Sequence, residues 1–181
     1  MAGRRRARAD GAPRPRREKP VLDAKAAKLA AADLLSRRAW SQRDLTRRLV
    51  RRGAPREVAE SVVADLAARG YVDDAAFARH FVETRAARGY GAARLAADLH
   101  ARGVAPALVT AALGALDTDG QLERARAIAR RRLAALRRVA PERAAGRLRD
   151  HLLRRGFAPG ITLRVVREVL GRTSFNSAML E

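Results

Sequence analysis

Few residues in this chain have the types and spacings that covalent or metal chemistry needs. The histidines are His80, His100 and His151, which fall in three different helical segments with no paired ligand spacing. None lies near a serine that could serve as a nucleophile, so no Ser–His set is assembled. Asp73 and Asp74 form the one acidic pair that could suggest metal-assisted hydrolysis. Adjacent carboxylates just before a helix are better explained as caps acting on its dipole. Gly89-Tyr90-Gly91 begins like a dinucleotide fingerprint, but Arg94 stands where the third glycine belongs, so the segment reads as an interhelical turn. The only lysines are Lys19, Lys25 and Lys28, which leaves no phosphate-binding Gly-Lys-Ser/Thr loop, and the chain has no cysteine. No catalytic residue, no metal ligand and no cofactor is expected. The sequence is that of a binding protein.

What binds is suggested by charge. The formal net charge is +20, and 36 of the 39 basic residues are arginine. Such a surface attracts polyanions at long range with strong salt dependence, and nucleic acid is the obvious partner. Coding bias toward arginine would spread evenly, yet residues 21–72 carry a net +5, residues 73–116 only +1, and residues 117–172 a net +9. From Arg124 to Arg138 there are seven arginines and no acid. Projected at 100° per residue, Leu122, Ala125, Ile128, Ala129, Leu133 and Leu136 share one sector of that segment. Arg126, Arg130, Arg131, Arg137 and Arg138 fall outside it, facing solvent or a ligand. Arg43, Arg47 and Arg51 form a second stripe at i, i+4 and i+8, opposite Leu45 and Leu49. These eight arginines are the candidate DNA-binding set. Arg85, Tyr90 and Arg94, in the near-neutral middle, are the candidate protein-docking set. Phe77 and Phe81 beside them read as core.

The elements that must position these residues are announced by a repeated phrase. Leu-x-x-x-Leu-x-x-Arg-Gly occurs at Leu45/Leu49/Arg52/Gly53, Leu95/Leu99/Arg102/Gly103 and Leu148/Leu152/Arg155/Gly156, each followed within three residues by Ala-Pro. Two leucines four apart lie on one helical face, the glycine can end the helix with positive φ, and proline suits the first turn of the next. A further apolar stripe precedes and another follows each phrase, so each unit is three helices. Ser41, with Asp44 three residues on, signals a helix start, as do Asp73 and Asp74. No segment alternates over a strand length.

The expected fold is all-α, an elongated tandem array of three three-helix repeats over 21–72, 73–116 and 117–171, each burying its apolar face partly against its neighbour. Residues 1–20, with eight basic residues and three prolines, are expected to be a disordered basic tail, and 172–181 a C-terminal tail. No run of 18 apolar residues exists and the basic start leads into Glu18-Lys19-Pro20, so no membrane association is expected and the protein should be cytoplasmic.

The stretch Gly70-Tyr71-Val72-Asp73-Asp74 through Phe77, Phe81 and Arg85, then Gly89-Tyr90-Gly91, Arg94-Leu95, Asp98-Leu99 and Arg102-Gly103-Val104, resembles the signature of the bacterial RecX family. Ser41-Gln42-Arg43-Asp44-Leu45 through Leu49 and Arg52-Gly53 is similar to that family's first repeat, and the resemblance covers about residues 24–170. It implies a non-enzymatic regulator of homologous recombination, DNA repair and the SOS response. Such a protein lies along the filament of a RecA-like recombinase on single-stranded DNA and modulates strand exchange, ATP hydrolysis and co-protease activity. Double-stranded DNA is a further candidate ligand, and a monomer is expected. Two other classes fit the residues: a stand-alone helical DNA-binding protein or transcription factor, and a helical scaffold for an acidic protein. A transcription factor would normally carry Asn or Gln on a recognition helix, and only Gln42, Gln121 and Asn176 are present.

Overall fold

The computed structural model describes residues 21–178, apart from the side chains of Pro141 and of 172–178. The tail expected over 1–20 lies outside the described residues, as do 179–181. Among the described residues there are nine helices and no strand, grouped three by three. Repeat 1 holds α1 (Ala24–Leu35), α2 (Gln42–Arg51) and α3 (Arg56–Ala68). Repeat 2 holds α4 (Asp74–Ala87), α5 (Ala92–Ala101) and α6 (Pro106–Gly114). Repeat 3 holds α7 (Thr118–Ala134), α8 (Pro141–Arg154) and α9 (Pro159–Ala178). The backbone of α9 therefore stays helical past residue 171, into the segment expected to be a tail.

The caps repeat as faithfully as the leucines. The first helix of each unit begins on an aspartate, Asp23, Asp73 or Asp117, whose carboxylate accepts amide hydrogens of the first turn. The third begins at a proline, Pro55, Pro106 or Pro159. The middle helix carries the core: Leu45, Leu49, Leu95, Leu99, Leu148 and Leu152 are all fully buried. Each such leucine stabilises its unit by about 1.5–3 kcal/mol through burial alone. Phe77 and Phe81 are buried with them, 5.9 Å apart between ring centroids.

The expectation of shared cores is corrected. The buried apolar residues fall into three separate clusters, one per repeat, and the helix pairs that pack extensively all lie inside one repeat. What joins the repeats is chiefly polar: in repeats 2 and 3 the end of the middle helix meets the start of the preceding unit's middle helix. The end of α5 meets the start of α2: Ser41 Oγ accepts from the Asp44 amide and donates to the Arg102 carbonyl at 2.9 Å, while Arg102 Nη1 lies 2.6 Å from Asp44 Oδ2. The end of α8 meets the start of α5: the Gly91 and Ala93 amides donate to the Arg155 and Gly156 carbonyls at 2.8 and 3.1 Å. At the second joint unpaired carbonyls at one helix end thus satisfy unpaired amides at another, and at the first the Ser41 hydroxyl relays between them. The Arg-Gly that closes each phrase is a helix stop and, in repeats 2 and 3, also the joint. In repeat 1 the same position closes on its own unit, with Arg52 reaching Asp33 and the Gly53 carbonyl accepting from Leu22.

Candidate nucleic-acid interface

The stripe on α2 forms one wall of an open groove against α3. Arg43, Thr46, Arg47, Val50 and Arg51 line it with Arg56 and Glu60, enclosing about 810 Å³. The leucines of α2 face inward, which leaves this polar face to solvent. Arg43 also packs its stem against Gly103 of repeat 2, so the stripe abuts the first joint. A second groove of about 560 Å³ lies beside it, lined by Arg37, Arg38, Trp40, Arg47, Arg48 and Arg51 among others. Trp40 donates its indole N–H to the Leu34 carbonyl at 3.1 Å, and the Arg38 guanidinium sits 3.6 Å from its ring centroid. Sequence pattern does not single out that stacked pair. A lone tryptophan in the α1–α2 loop gives no periodic signal.

In repeat 3 the projected set divides. Arg130 and Arg131 are exposed on α7, but α7 ends at Ala134, so Arg137 and Arg138 are exposed on the turn that follows. Arg126 is corrected: it is not a solvent-facing arginine. Its side chain is 19% exposed and makes a two-pronged pair with Glu168 of α9, Nε to Oε2 at 2.6 Å and Nη2 to Oε1 at 2.9 Å, with Glu123 as a further partner. These bonds raise its pKa further and, with Arg164, hold the Glu168 carboxyl down at about 2. Arg126 clamps α7 to α9.

The middle set lies beside the second joint. Arg85 stands over the rings of Phe81 and Tyr90, at 5.3 and 5.8 Å. Tyr90 is half-buried between Arg85 and Arg155 of repeat 3, the latter 5.4 Å from its ring. Arg94 is exposed and paired with Asp98 at 3.1 Å. Arg85 and Tyr90 are therefore engaged inside the array, and Arg94 is the most open of the three.

Asp73 and Asp74 serve as caps, but of different helices. Asp73 caps α4, and the Ala75 and Ala76 amides hold its carboxyl below the usual range. Asp74 accepts from the Gln42 amide at 2.9 Å, across the first joint; burial, with Asp73 and Asp44 nearby, pushes its carboxyl up. His80 and His100 are exposed and His151 is half-buried. Among the described residues no cluster of three or more His, Cys, Asp or Glu side chains could hold a metal, and no helix is long and apolar enough to cross a membrane.

The class is thus an all-helical protein of tandem three-helix units whose open grooves are lined by arginine. Models of the first and second three-helix domains of RecX match residues 27–66 and 73–113. The regulatory protein RecX of Thermobifida fusca is 42% identical over 138 residues, which is 76% of this chain and 75% of that protein. That of Amycolatopsis mediterranei is 33% identical over 158 residues, 87% of this chain and 90% of that one. The crystal structure of RecX from Lactobacillus salivarius shares the fold, with a TM-score of 0.70 at 17% identity over 81% of this chain and 96% of its own. The chain belongs to the RecX family of regulatory proteins.

Proposed function

We infer that this chain is a non-enzymatic cytoplasmic regulator that binds the filament of a RecA-like recombinase on single-stranded DNA and lowers its activity. The observation that carries this reading is a pair of adjoining arginine-lined grooves on repeat 1 of a protein whose relatives are named regulatory proteins. Arginine-rich faces without a base-reading set suit a phosphate backbone of any sequence. Arg43, Arg47 and Arg51 in repeat 1 and Arg130, Arg131, Arg137 and Arg138 in repeat 3 are assigned to DNA, and Arg94 to the protein component of the filament.

The test is to titrate the protein into a recombinase hydrolysing ATP on single-stranded DNA. The expected result is a progressive fall in ATPase rate, and a smaller fall when Arg43, Arg47 and Arg51 are changed to Glu. An unchanged rate at saturating protein, with tight binding to bare duplex DNA, would turn the assignment toward a stand-alone DNA-binding protein.

A further inference from the structure

Repeats 2 and 3 enclose a cleft of about 410 Å³ beside their joint, and its charged lining is entirely cationic. Arg124, Arg131 and Arg132 come from α7, Arg155 and His151 from the end of α8, and Arg88 from the end of α4. No carboxylate among the described residues lines it. Arg155 is fixed by its own bonds, Nη1 donating to the Arg88 carbonyl at 3.2 Å and the Gly89 carbonyl at 3.5 Å, with its guanidinium against Tyr90. Arg124 is different, because its Nε and Nη2 are buried and have no hydrogen-bond acceptor among the described residues. Buried guanidinium nitrogens without an acceptor are costly, and bringing more arginines to the same wall adds repulsion. An anion with several acceptor oxygens drawn among these arginines offsets their repulsion, and phosphate matches the fork of the exposed guanidinium groups.

We propose that this inter-repeat cleft is a phosphate-binding site, in which Arg124, Arg131, Arg132 and Arg88 seat a backbone phosphate of a nucleic-acid strand and so fasten repeat 3 to repeat 2. The site is separate from the α2 stripe and joins residues from three helices. Of the candidate arginines only Arg131 belongs to it. The inference rests on the functional reading only for the carrier of the phosphate, and its test needs no recombinase.

His151 reports on the cleft from within. Burial, then Arg155, Arg132 and Arg154, lower its pKa, so a phosphate that cancels this field raises it. The experiment follows the three histidines by proton NMR across pH in the full chain, in chloride alone, with inorganic phosphate, and with a short oligothymidylate, all at one ionic strength. The expected result is a rise in the His151 pKa with phosphate and a larger one with oligothymidylate, while exposed His80 and His100 stay put. Changing Arg131 and Arg132, both exposed and thus safe for folding, to Gln abolishes the shift. It also lowers the salt slope of single-strand binding by about 0.7 for each phosphate that is no longer neutralised. The Arg124→Gln variant does the same where circular dichroism shows it folded. A His151 pKa indifferent to both ligands, or equal movement of all three histidines, overturns the site. A shift with inorganic phosphate and none with oligothymidylate overturns the strand as its ligand.

Discussion

Arg126 illustrates how a side chain's role is decided by a partner that sequence proximity does not reveal. Helical projection places it on the polar face of α7, which is correct as geometry. Its partner Glu168 lies 42 residues away on α9, and the fold brings the two to 2.6 Å. Arg130, Arg137 and Arg138 have the same chemistry and are exposed, so the difference lies wholly in what stands opposite. The pair carries a pH signature. Glu168 titrates near 2 in the fold against an ordinary value of 4.5, so the folded state favours its ionised form. Its contribution is fully present above about pH 4.5 and is lost as pH falls through about 2. Thermal unfolding followed from neutral pH downward should therefore show Glu168→Gln melting below the parent at neutral pH. The two should converge in acid, because the variant lacks this titration. Parallel curves throughout would mean that Glu168 does not supply the acid sensitivity.

At the scale of elements, the helices were legible because their signals are local. Leucines four apart, an Asp or Ser at the start, and Gly followed by Ala-Pro each act within a turn or two of chain, and all three middle helices end with glycine at positive φ. The joints were not legible, since their partners lie 32 to 61 residues apart at the first and more than 60 at the second. Nor was the cleft between repeats 2 and 3, which combines the phrase arginine Arg155 with Arg88, the residue before Gly89, and with Arg124, one of a run. Gly156 shows what the joint demands. Its φ is +88°, and a Cβ there would lie 2.3 Å from the Arg94 backbone nitrogen. At Gly103 the same atom would meet the Arg43 stem, its Cβ included at 2.8 Å, so a side chain there presses on the first joint and not on the second. Gly156→Ala combines left-handed strain of about 1–3 kcal/mol with a backbone collision that must part α8 from α5. Hydrogen exchange checks this through the Gly91 and Ala93 amides, whose acceptors are the Arg155 and Gly156 carbonyls. Both should lose protection in Gly156→Ala, while Gly103→Ala leaves them as in the parent. Retained protection would show that the joint tolerates the insertion.

For the whole molecule, separate cores joined end to end by polar contacts give an array whose units hold themselves together and whose joints set their relative positions. Fully shared cores would make the middle repeat indispensable to folding. The observed division predicts otherwise. A unit of about 50 residues is marginal by itself, since so small a domain buries only about 60% of its unfolded surface. Yet repeats 1 and 3 each retain a closed apolar cluster without repeat 2. Deleting residues 73–116 removes both joints at once, because α5 supplies the carbonyl end for Ser41 and the amide end for Arg155 and Gly156. The shortened chain should keep its helix content per residue by circular dichroism and melt cooperatively at a lower temperature. It should also lose the phosphate-induced shift of His151, whose cleft needs Arg88 from the end of α4. Its binding to single-stranded DNA should persist through the grooves of repeat 1 and the exposed arginines of repeat 3, with weaker affinity, because nothing then holds the two basic ends in register. Loss of helix in both remaining repeats would show that the joints, despite their polar character, carry the stability of the array.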